Sequence, residues 1–389
     1  MKIALFSETY FPEVNGVVAH VKLLKEGLEA LGQEVLVVTT DSRAHKHYVR
    51  DGVLYCPGKK LKRVYDYGVA LPINKSRYQY LKDFNPDIIH IHTEFGIGLF
   101  GLFAAKLLKK PVIYTLHTIY DEYLYYLIPK MLNSAGQRVF YRYIKKVANK
   151  ADLIIGPSKK SEEFLRRAGV NKEIEIIANG VDIHRFSPEN VTAYERGVIR
   201  DIYNIPRDAF LGCTITRFGR EKSIDILIVY TKEYMEKNNK FYLMIVGDGP
   251  AKESLKKLAE DLMISDRVIF TGKILNKDII PYYGASDIFM SASLTEINSI
   301  SMLEAMSMGL PVLQRYDEVN KDQILDGVNG YTFSDKKSMM KCLDKFFEMD
   351  FDQRMNLKCS TRESMINHGA INVAKNILEE YFLLLNKKR

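Results

Sequence analysis

Two glutamates eight residues apart, Glu296 and Glu304, lie in the stretch of this sequence that is richest in potential chemistry. The apolar segment 287–290 before them predicts a buried strand, and Gly309 and Pro311 after them are typical of a helix stop. The first acid therefore follows a strand, and the second lies about two helical turns further on. The N–H groups that begin such a helix suit a phosphate. A carboxylate on each side of a phosphate site suits a ligand that carries hydroxyl groups as well as phosphate. A sugar nucleotide has both kinds of group.

Two basic side chains, Arg217 and Lys222, follow the strand-like run 210–216. Cations at the carboxyl end of a strand can neutralise a leaving diphosphate. The alternative is ordinary surface charge at the start of a helix. Both interpretations stay open on these residues alone.

A histidine and a glycine occupy equivalent places in the first half of the chain. His117 ends the apolar run 112–116, where an imidazole can hydrogen-bond a sugar hydroxyl or a developing phosphate charge. Gly16 follows the first predicted strand and would let the backbone approach a phosphate closely. A single histidine is more often structural, however, and most glycine loops are only turns.

The elements that must position these residues alternate between strand and helix in both halves of the chain. Apolar β-rich runs are followed by helical patterns, which predicts a parallel, doubly wound α/β sheet in each half. We predict two Rossmann-like domains over 1–188 and 189–371, with a final helix over 372–389 that packs back on the first domain. Ligands bind beyond the carboxyl ends of such strands. The predicted active site is therefore a cleft across which the two domains face each other.

Composition is that of a globular protein of two domains. The 389 residues are 47% hydrophobic and 27% charged. No apolar run approaches the roughly 20 residues that span a bilayer, and the N-terminus lacks a signal sequence, so we predict a cytoplasmic protein. The four cysteines lie far apart without zinc-site spacing, which predicts reduced thiols and no metal site.

Positive charge is concentrated in the first half of the chain. Residues 1–188 contain 28 Lys and Arg against 19 Asp and Glu, whereas 189–389 contain 28 against 29. A one-sided basic field favours an anionic partner, either nucleic acid or acidic lipid, although a solvated lysine-rich face is equally consistent. No nucleic-acid-binding module is recognisable, so we predict no nucleic-acid partner.

Taken together, these motifs resemble the glycogen-synthase-like retaining glycosyltransferases (family 4, GT-B fold). The resemblance runs in order along nearly the whole chain. It rests on Gly16, His117, Asn179-Gly-Val-Asp182, Arg217 with Glu221-Lys222, Val246-Gly-Asp-Gly249, Phe270-Thr-Gly272 and Glu296-x7-Glu304. More narrowly, His117-Thr-Ile-Tyr-Asp-Glu-Tyr123, Arg315-Tyr-Asp-Glu-Val-Asn320 and Asp326-Gly-Val-Asn-Gly330 are similar to the bacterial diacylglycerol glucosyltransferases.

The resemblance implies a role for each matching residue. Contacts to the donor diphosphate are implied for Arg217, Lys222 and the backbone N–H groups of Ser299 and Ile300, with Gly16 closing on the phosphates. Glu304 is implied to accept from the nucleotide ribose. Glu296 and His117 are implied to be the catalytic residues, with Glu296 on the donor sugar and His117 near its anomeric carbon. No cofactor or metal is implied beyond a nucleotide-sugar donor, for which we expect UDP-glucose.

An aromatic and basic segment suggests where a lipid acceptor is met. Tyr125 and Tyr126 lie in an aromatic-aliphatic run, and basic residues follow at helical spacing, namely Arg138, Arg142, Lys145 and Lys146. Amphipathic basic helices with aromatic residues lie at membrane interfaces. The alternative is a helix that packs on its own domain with its lysines outward.

The resemblance therefore implies a hexosyltransferase that acts on a membrane lipid at the inner face of the cell membrane. Two alternatives remain open at this stage. One is a capsule or exopolysaccharide glycosyltransferase with a sugar acceptor. The other is a catalytically degenerate homologue that serves as a partner protein, because Thr216 and Ser299 stand where the family usually has glycine.

Overall fold

Two units of parallel α/β structure make up the chain. The computed structural model describes residues 1–13, 15–60, 68–119 and 133–388. Unit 1 comprises Met1–Gly180 and His368–Arg389, and unit 2 comprises Val181–Asn367. The prediction of two doubly wound α/β domains is confirmed.

The main sheet of unit 1 is parallel except for its last, antiparallel pair. Its described strands follow the order β10-β9-β8-β7-β1-β2-β4-β3, and β5 and β6 form a separate ribbon. The strands are β1 (Lys2–Phe6), β2 (Glu34–Asp41), β3 (Tyr48–Arg50), β4 (Val53–Pro57), β5 (Lys59–Lys60), β6 (Gly68–Val69), β7 (Ile88–Ile91), β8 (Val112–Thr115), β9 (Leu153–Gly156) and β10 (Ile174–Ile176). The helices are α1 (Gly16–Ala30), α2 (Lys75–Phe84), α3 (Gly96–Leu108), α4 (Asn133–Ala148) and α5 (Lys159–Arg167).

Unit 2 has a wholly parallel sheet, and its described strands follow the order β13-β12-β11-β14-β15-β16. The strands are β11 (Phe210–Ile215), β12 (Phe241–Val246), β13 (Val268–Gly272), β14 (Ile288–Ser291), β15 (Val312–Arg315) and β16 (Gly330–Phe333). The helices are α6 (Ala193–Ile202), α7 (Ile224–Lys237), α8 (Lys252–Asp261), α9 (Ile280–Ala285), α10 (Ile300–Ser307), α11 (Lys336–Glu348) and α12 (Phe351–Glu363). Short 3-10 turns include Arg220–Lys222 and Glu318–Gln323.

The strands form where the sequence is continuously apolar, because a parallel sheet is covered by helices on both faces. Residues Ile3 to Phe6 of β1 and Leu243 to Val246 of β12 are at most 1% exposed. The carboxyl ends of β1, β7 and β8 in unit 1, and of β11 and β14 in unit 2, lead into the loops that carry the candidate site residues.

The last helix, α13 (Ala370–Lys388), belongs to unit 1, where it packs on α1. Its apolar residues Val373, Ile377 and Tyr381 enter the same core as β1 and α1. The helices approach so closely that a Cβ on Gly27 would lie 2.5 Å from the carbonyl oxygen of Ala370. Only glycine therefore fits at this crossing.

The boundaries between the units differ from the sequence expectation. The first lies after Gly180 rather than after residue 188, because Val181 and Phe186 are buried in the core of unit 2. The hydroxyl of Ser307 also donates to the carbonyl of Phe186 at 2.7 Å. The second boundary lies before His368, whose Nδ1 is 3.2 Å from the carbonyl oxygen of Asn179 in unit 1.

Among the described residues, no helix has the length and apolar character needed to cross a membrane. Cys56, Cys213 and Cys342 are buried and Cys359 is exposed, and all four are free thiols, as the sequence predicts.

Candidate active site

Two loops of unit 2 are tied together and bring opposite charges into contact. The hydroxyls of Ser293 and Thr295, in the loop after β14, both donate to the carbonyl of Glu221 at 3.2 Å. This places Glu296 beside Lys222, whose Nζ lies 2.6 Å from Glu296 Oε1. Both side chains are largely shielded, so the pair is screened less than a surface ion pair. The two loops thus place a cation, Lys222, and a hydrogen-bond acceptor, Glu296, side by side.

A second ion pair lies on the same turn. Arg217 Nη2 donates to Oε1 of Glu221, and the Glu221 side chain is 2% exposed. A Cβ on Gly219 would lie 2.2 Å from Glu221 Oε1, so a larger residue there would displace this carboxylate. The buried carboxylate of Glu221 therefore holds the guanidinium of Arg217 in place. The position of Arg217 after β11 is consistent with a phosphate contact.

The backbone that carries Glu296 is clamped by a buried asparagine. Asn320 Nδ2 donates to the carbonyl oxygens of Glu296 at 2.9 Å and Ile297 at 3.2 Å. Gln323 Nε2 adds a third bond to the Ile297 carbonyl at 3.1 Å. Asn320 comes from the turn Glu318–Gln323 after β15 and orients Glu296 without contacting its carboxylate.

The helix after this loop, α10, begins at Ile300 rather than nearer Glu296. Ser299 is its N-cap, and its hydroxyl accepts from Met302 N at 3.4 Å. A serine fits this position, because N-cap side chains satisfy one of the first helical N–H groups. The expectation of about two helical turns between the glutamates is wrong, since Glu296 lies in the loop and Glu304 in the second turn of the helix.

Glu304 is a buried carboxyl group with one aromatic partner. It is 8% exposed, and the hydroxyl of Tyr283 in α9 donates to its Oε2 at 2.7 Å. Burial raises the pKa of Glu304 to about 7, although the Tyr283 hydrogen bond and the charge of Arg185 act in the opposite direction. Glu304 therefore changes charge near neutral pH.

In unit 1, Gly16 is the exposed first residue of α1. The side chain of Asn15 caps this helix, since its Oδ1 accepts from Val18 N at 2.9 Å. Asn15 Nδ2 also donates to Thr9 Oγ1 at 3.3 Å, which joins the helix start to the loop after β1. The helix N-terminus is fixed where a close approach to a phosphate is expected.

His117 follows β8 and belongs to a group of histidines. Its Nε2 lies 3.0 Å from Nδ1 of His92, which follows β7, and its ring centroid lies 4.6 Å from that of His20 in α1. Burial lowers the pKa of His117 well below its ordinary value, and the neighbouring imidazoles of His20 and His90 add to this effect. The imidazole is therefore neutral at pH 7.

The basic residues of the predicted membrane segment lie on α4. Arg138, Arg142, Lys145 and Lys146 are all exposed, whereas Ile144 and Val147 are buried against unit 1. The helix thus packs on its own domain with its cations outward, and Val139 beside them is 65% exposed. Tyr125 and Tyr126 lie outside the described residues.

The structure pairs Lys222 with Glu296 and Arg217 with the neighbouring Glu221 in unit 2, and Gly16 and His117 lie in unit 1. The sequence interpretation missed the side chains that support them, namely Tyr283, Asn320, His20, His92 and Glu8. Glu8 is 5% exposed and accepts from Ile97 N at 2.6 Å, which fixes the loop after β1 to the start of α3. Only the His-Ile-His pattern at the end of β7 gave a signal in the sequence, because alternate residues of a strand share one face.

Comparison with known proteins identifies the family of this chain. Residues 14–185 match the family described as Glycosyltransferase Family 4, and residues 195–364 match the one described as Glycosyl transferases group 1. An alpha-monoglucosyldiacylglycerol synthase from Acholeplasma laidlawii is 33% identical over 88% of this chain and 87% of its own length. Another synthase of that name, from Streptococcus pneumoniae, is 30% identical over 85% of this chain and 74% of its own length.

A solved structure shares the fold. HepE from Anabaena, crystallised with UDP and glucose, is similar with a TM-score of 0.75 over 98% of this chain and 99% of its own, at 18% identity. The fold agreement over the full length, together with the two sequence matches, shows that this chain belongs to the family 4 glycosyltransferases of the GT-B fold.

Proposed function

We propose that the protein is a retaining glycosyltransferase that transfers a hexose, glucose from UDP-glucose, to a membrane lipid acceptor such as diacylglycerol or a glycosyl-diacylglycerol. The observation that carries this proposal is the similarity to two alpha-monoglucosyldiacylglycerol synthases over 88% and 85% of the chain. The exposed cations of α4 support it, because they suit contact with an anionic membrane surface.

In the proposed reaction, the acceptor hydroxyl attacks the anomeric carbon on the face from which the diphosphate leaves. The bond from that carbon to the diphosphate oxygen breaks, UDP departs, and the hydroxyl proton passes to the leaving phosphate. Catalysis then consists mainly of positioning the reactants and stabilising the leaving group. No protein nucleophile and no metal ion is assigned to the transfer.

Each charged group of unit 2 has a task in this scheme. Arg217, Lys222 and the N–H groups of Ser299 and Ile300 hold the diphosphate, and the buried carboxylate of Glu221 keeps Arg217 in place. Charge-assisted bonds of this kind are about twice as strong as neutral ones. Since the helix start also attracts anions, the departing charge is compensated without a cation from solution.

The remaining residues orient the two sugars of the donor. Glu304 accepts from the hydroxyls of the ribose, and Glu296 accepts from the hexose while Lys222 holds its carboxylate. His117 contributes a neutral imidazole close to the anomeric carbon, and Gly16 allows the backbone of unit 1 to approach the phosphates. The protein itself works as a peripheral protein on the cytoplasmic face of the membrane.

The test is UDP release from UDP-glucose by the purified chain. Release is measured without acceptor, with free sugars, and with vesicles that contain diacylglycerol and an anionic lipid. Release that requires diacylglycerol supports the proposal. Equal release with a free sugar would favour the exopolysaccharide alternative, and UDP binding without release under any condition would favour a degenerate partner protein.

A further inference from the structure

Three histidines from separate parts of the sequence meet inside unit 1. His20 comes from α1, His92 follows β7, and His117 follows β8. One ring nitrogen of each lies within 4.8 Å of those of the other two. His20 and His92 are 72 residues apart along the chain, and His92 and His117 are 25 apart. Their rings nevertheless converge where the carboxyl ends of two strands meet the first helix.

The cluster is a poor site for positive charge and a good one for neutral imidazole. His20 is 2% exposed and His92 is 1% exposed. Burial lowers the pKa of His20 to about 4, against a smaller opposing effect from the side chain of Asn179, and it lowers the pKa values of His92 and His117 well below their ordinary range. Neutral imidazole is the form that ligates a metal ion.

Hydrogen bonds within unit 1 leave part of the cluster unsatisfied. Within the described part of the chain, the buried Nε2 of His92 has no hydrogen-bond partner, and neither ring nitrogen of His20 meets hydrogen-bond geometry with one, although Asn179 lies near it. Buried polar atoms in proteins almost always have a partner, and an exception points to a water molecule or an ion.

A fourth histidine nearby gives the contrast. His90 lies on the same face of β7 as His92, with ring centroids 4.1 Å apart, and its Nδ1 and Nε2 are 2.6 Å from the Tyr381 hydroxyl and 2.7 Å from Thr115 Oγ1. Both of its nitrogens are thus satisfied by the protein. His90 is a structural histidine, whereas the three clustered rings retain capacity for a further ligand.

We propose that His20, His92 and His117 form a binding site for a zinc ion. Zinc takes histidine nitrogens at about 2.0–2.1 Å in a tetrahedron, which sets neighbouring nitrogens about 3.3 Å apart. The 3.0 Å between His92 Nδ1 and His117 Nε2, now joined by a hydrogen bond that the ion would replace, is close to that separation. The ligand nitrogens of the three rings lie within 4.8 Å of one another, so they must draw closer around the ion, and water completes the coordination.

This inference departs from the sequence expectation of no metal site, and it does not rest on the proposed transfer chemistry. Zinc on His117 would occupy the imidazole that the proposed function assigns to the donor sugar. The ion is therefore an inhibitory ligand of the enzyme rather than a participant in the transfer. Lowered turnover at unchanged UDP affinity is the expected consequence, because the side chains proposed to hold the diphosphate, Arg217 and Lys222, lie in unit 2.

The experiment uses the full chain after removal of metal with a chelator. Zinc alone is titrated in competition with a chromophoric chelator, and we expect one ion per chain. His20→Gln and His92→Gln should each weaken zinc binding at least tenfold. His45→Gln is the matched control, since His45 is exposed on the same unit and should bind no differently from the wild type.

X-ray absorption at the zinc edge identifies the ligands of zinc bound to the wild-type protein. Because it needs no substitution, it tests the site even if a variant fails to fold. A first shell with three imidazoles supports the site. A shell with fewer than three imidazoles, or zinc binding that His20→Gln and His92→Gln leave unchanged, would overturn it. UDP binding in each variant reports separately on unit 2, so loss of the zinc site is not confused with failure of the proposed transfer.

Discussion

Lys222 and Glu296, 74 residues apart in sequence, form a shielded ion pair with 2.6 Å between Nζ and Oε1. The pair links the residue proposed to hold the diphosphate to the one proposed to hold the hexose. Its carboxylate would repel a diphosphate if the lysine were absent. The lysine therefore neutralises Glu296 in addition to its proposed contact with the phosphate.

Replacing the cation of this pair should weaken donor binding strongly. We expect Lys222→Gln to lower UDP affinity about 10- to 100-fold, because a hydrogen bond to a charged group contributes about 1.5–3 kcal/mol. The repulsion from unpaired Glu296 should account for part of the loss. In the double variant Lys222→Gln/Glu296→Gln, calorimetry should therefore show partial recovery of UDP affinity, and a double variant that binds UDP more weakly than Lys222→Gln would contradict the shared role.

The charge of Glu304 should make nucleotide binding depend on pH. Burial raises the pKa of Glu304 to about 7, so the carboxyl is mostly protonated at pH 6 and mostly ionised at pH 8. The ionised form is a pure acceptor and the stronger one, whereas protonation turns one of its oxygens into an O–H donor. UDP affinity should therefore rise about tenfold from pH 6 to pH 8, in proportion to the ionised fraction at this pKa.

The phosphate of UDP titrates in the same range, and Glu304→Gln supplies the control. The amide can still accept from Tyr283 but carries no charge at any pH. The ratio of wild-type to variant affinity should grow with pH, and a ratio that stays constant would remove Glu304 from the ribose role. Glu304→Ala should weaken UDP binding at pH 8 at least as much as Glu304→Gln.

Asn320 should act on turnover through the backbone of Glu296. In Asn320→Ala the carbonyl of Glu296 loses its hydrogen bond from Asn320. The Glu296 carboxylate, which is proposed to accept from the hexose of the donor, is then no longer held in position. We expect the turnover number to fall about tenfold or more, because misplacement by about 1 Å costs up to 100-fold, while UDP affinity stays within about twofold.

Asn329→Ala is the matched control for Asn320. Asn329 is also buried in unit 2, where it accepts from Leu325 N at 2.8 Å and donates to the carbonyl of Gln323. It has no bond to Glu296. Equal losses of turnover in the two variants, at matched thermal stability, would show that general loosening rather than Glu296 position is responsible.

The exposed cations of α4 should hold the protein on anionic vesicles. Neutralising Arg142, Lys145 and Lys146 to Gln should reduce vesicle binding about 100- to 200-fold, since each basic residue near such a surface contributes about 1 kcal/mol. Sedimentation with vesicles measures this directly. The control variant neutralises three exposed lysines of unit 2, Lys277, Lys337 and Lys341, with the same change in net charge.

A reduction of equal size in both variants would show that only net charge matters and would contradict a membrane role for α4. Raised salt should weaken wild-type binding in the same direction, because the attraction is screened over about 8–10 Å at moderate ionic strength.

The sequence predicted the strands well because parallel sheets bury continuous apolar runs. The predicted runs 112–116, 210–216 and 287–290 agree with β8, β11 and β14 to within one residue at each end. The short strands β3 and β5 were not predicted. All three residues of β3 are exposed and β5 consists of two lysines, so neither is a buried apolar run.

The candidate site was predicted in its charged residues but not in their partners. Arg217, Lys222 and Glu304 have recognisable types and places relative to strands. The residues that fix them, such as Tyr283 for Glu304, lie on other elements at arbitrary sequence distance. The three-histidine cluster was missed for the same reason, because its members share no sequence spacing typical of a metal site.

The most direct measurement is mass spectrometry of the lipid formed from UDP-glucose labelled with carbon-13 in the glucose, with vesicles that contain diacylglycerol. Nuclear magnetic resonance of the purified product then reads its anomeric configuration. We predict a labelled monohexosyl-diacylglycerol with the α configuration of the donor, and no such product with Lys222→Gln/Glu296→Gln. A labelled product with the β configuration would contradict a retaining transfer, and a label found only in free glucose or a polysaccharide would contradict the lipid acceptor.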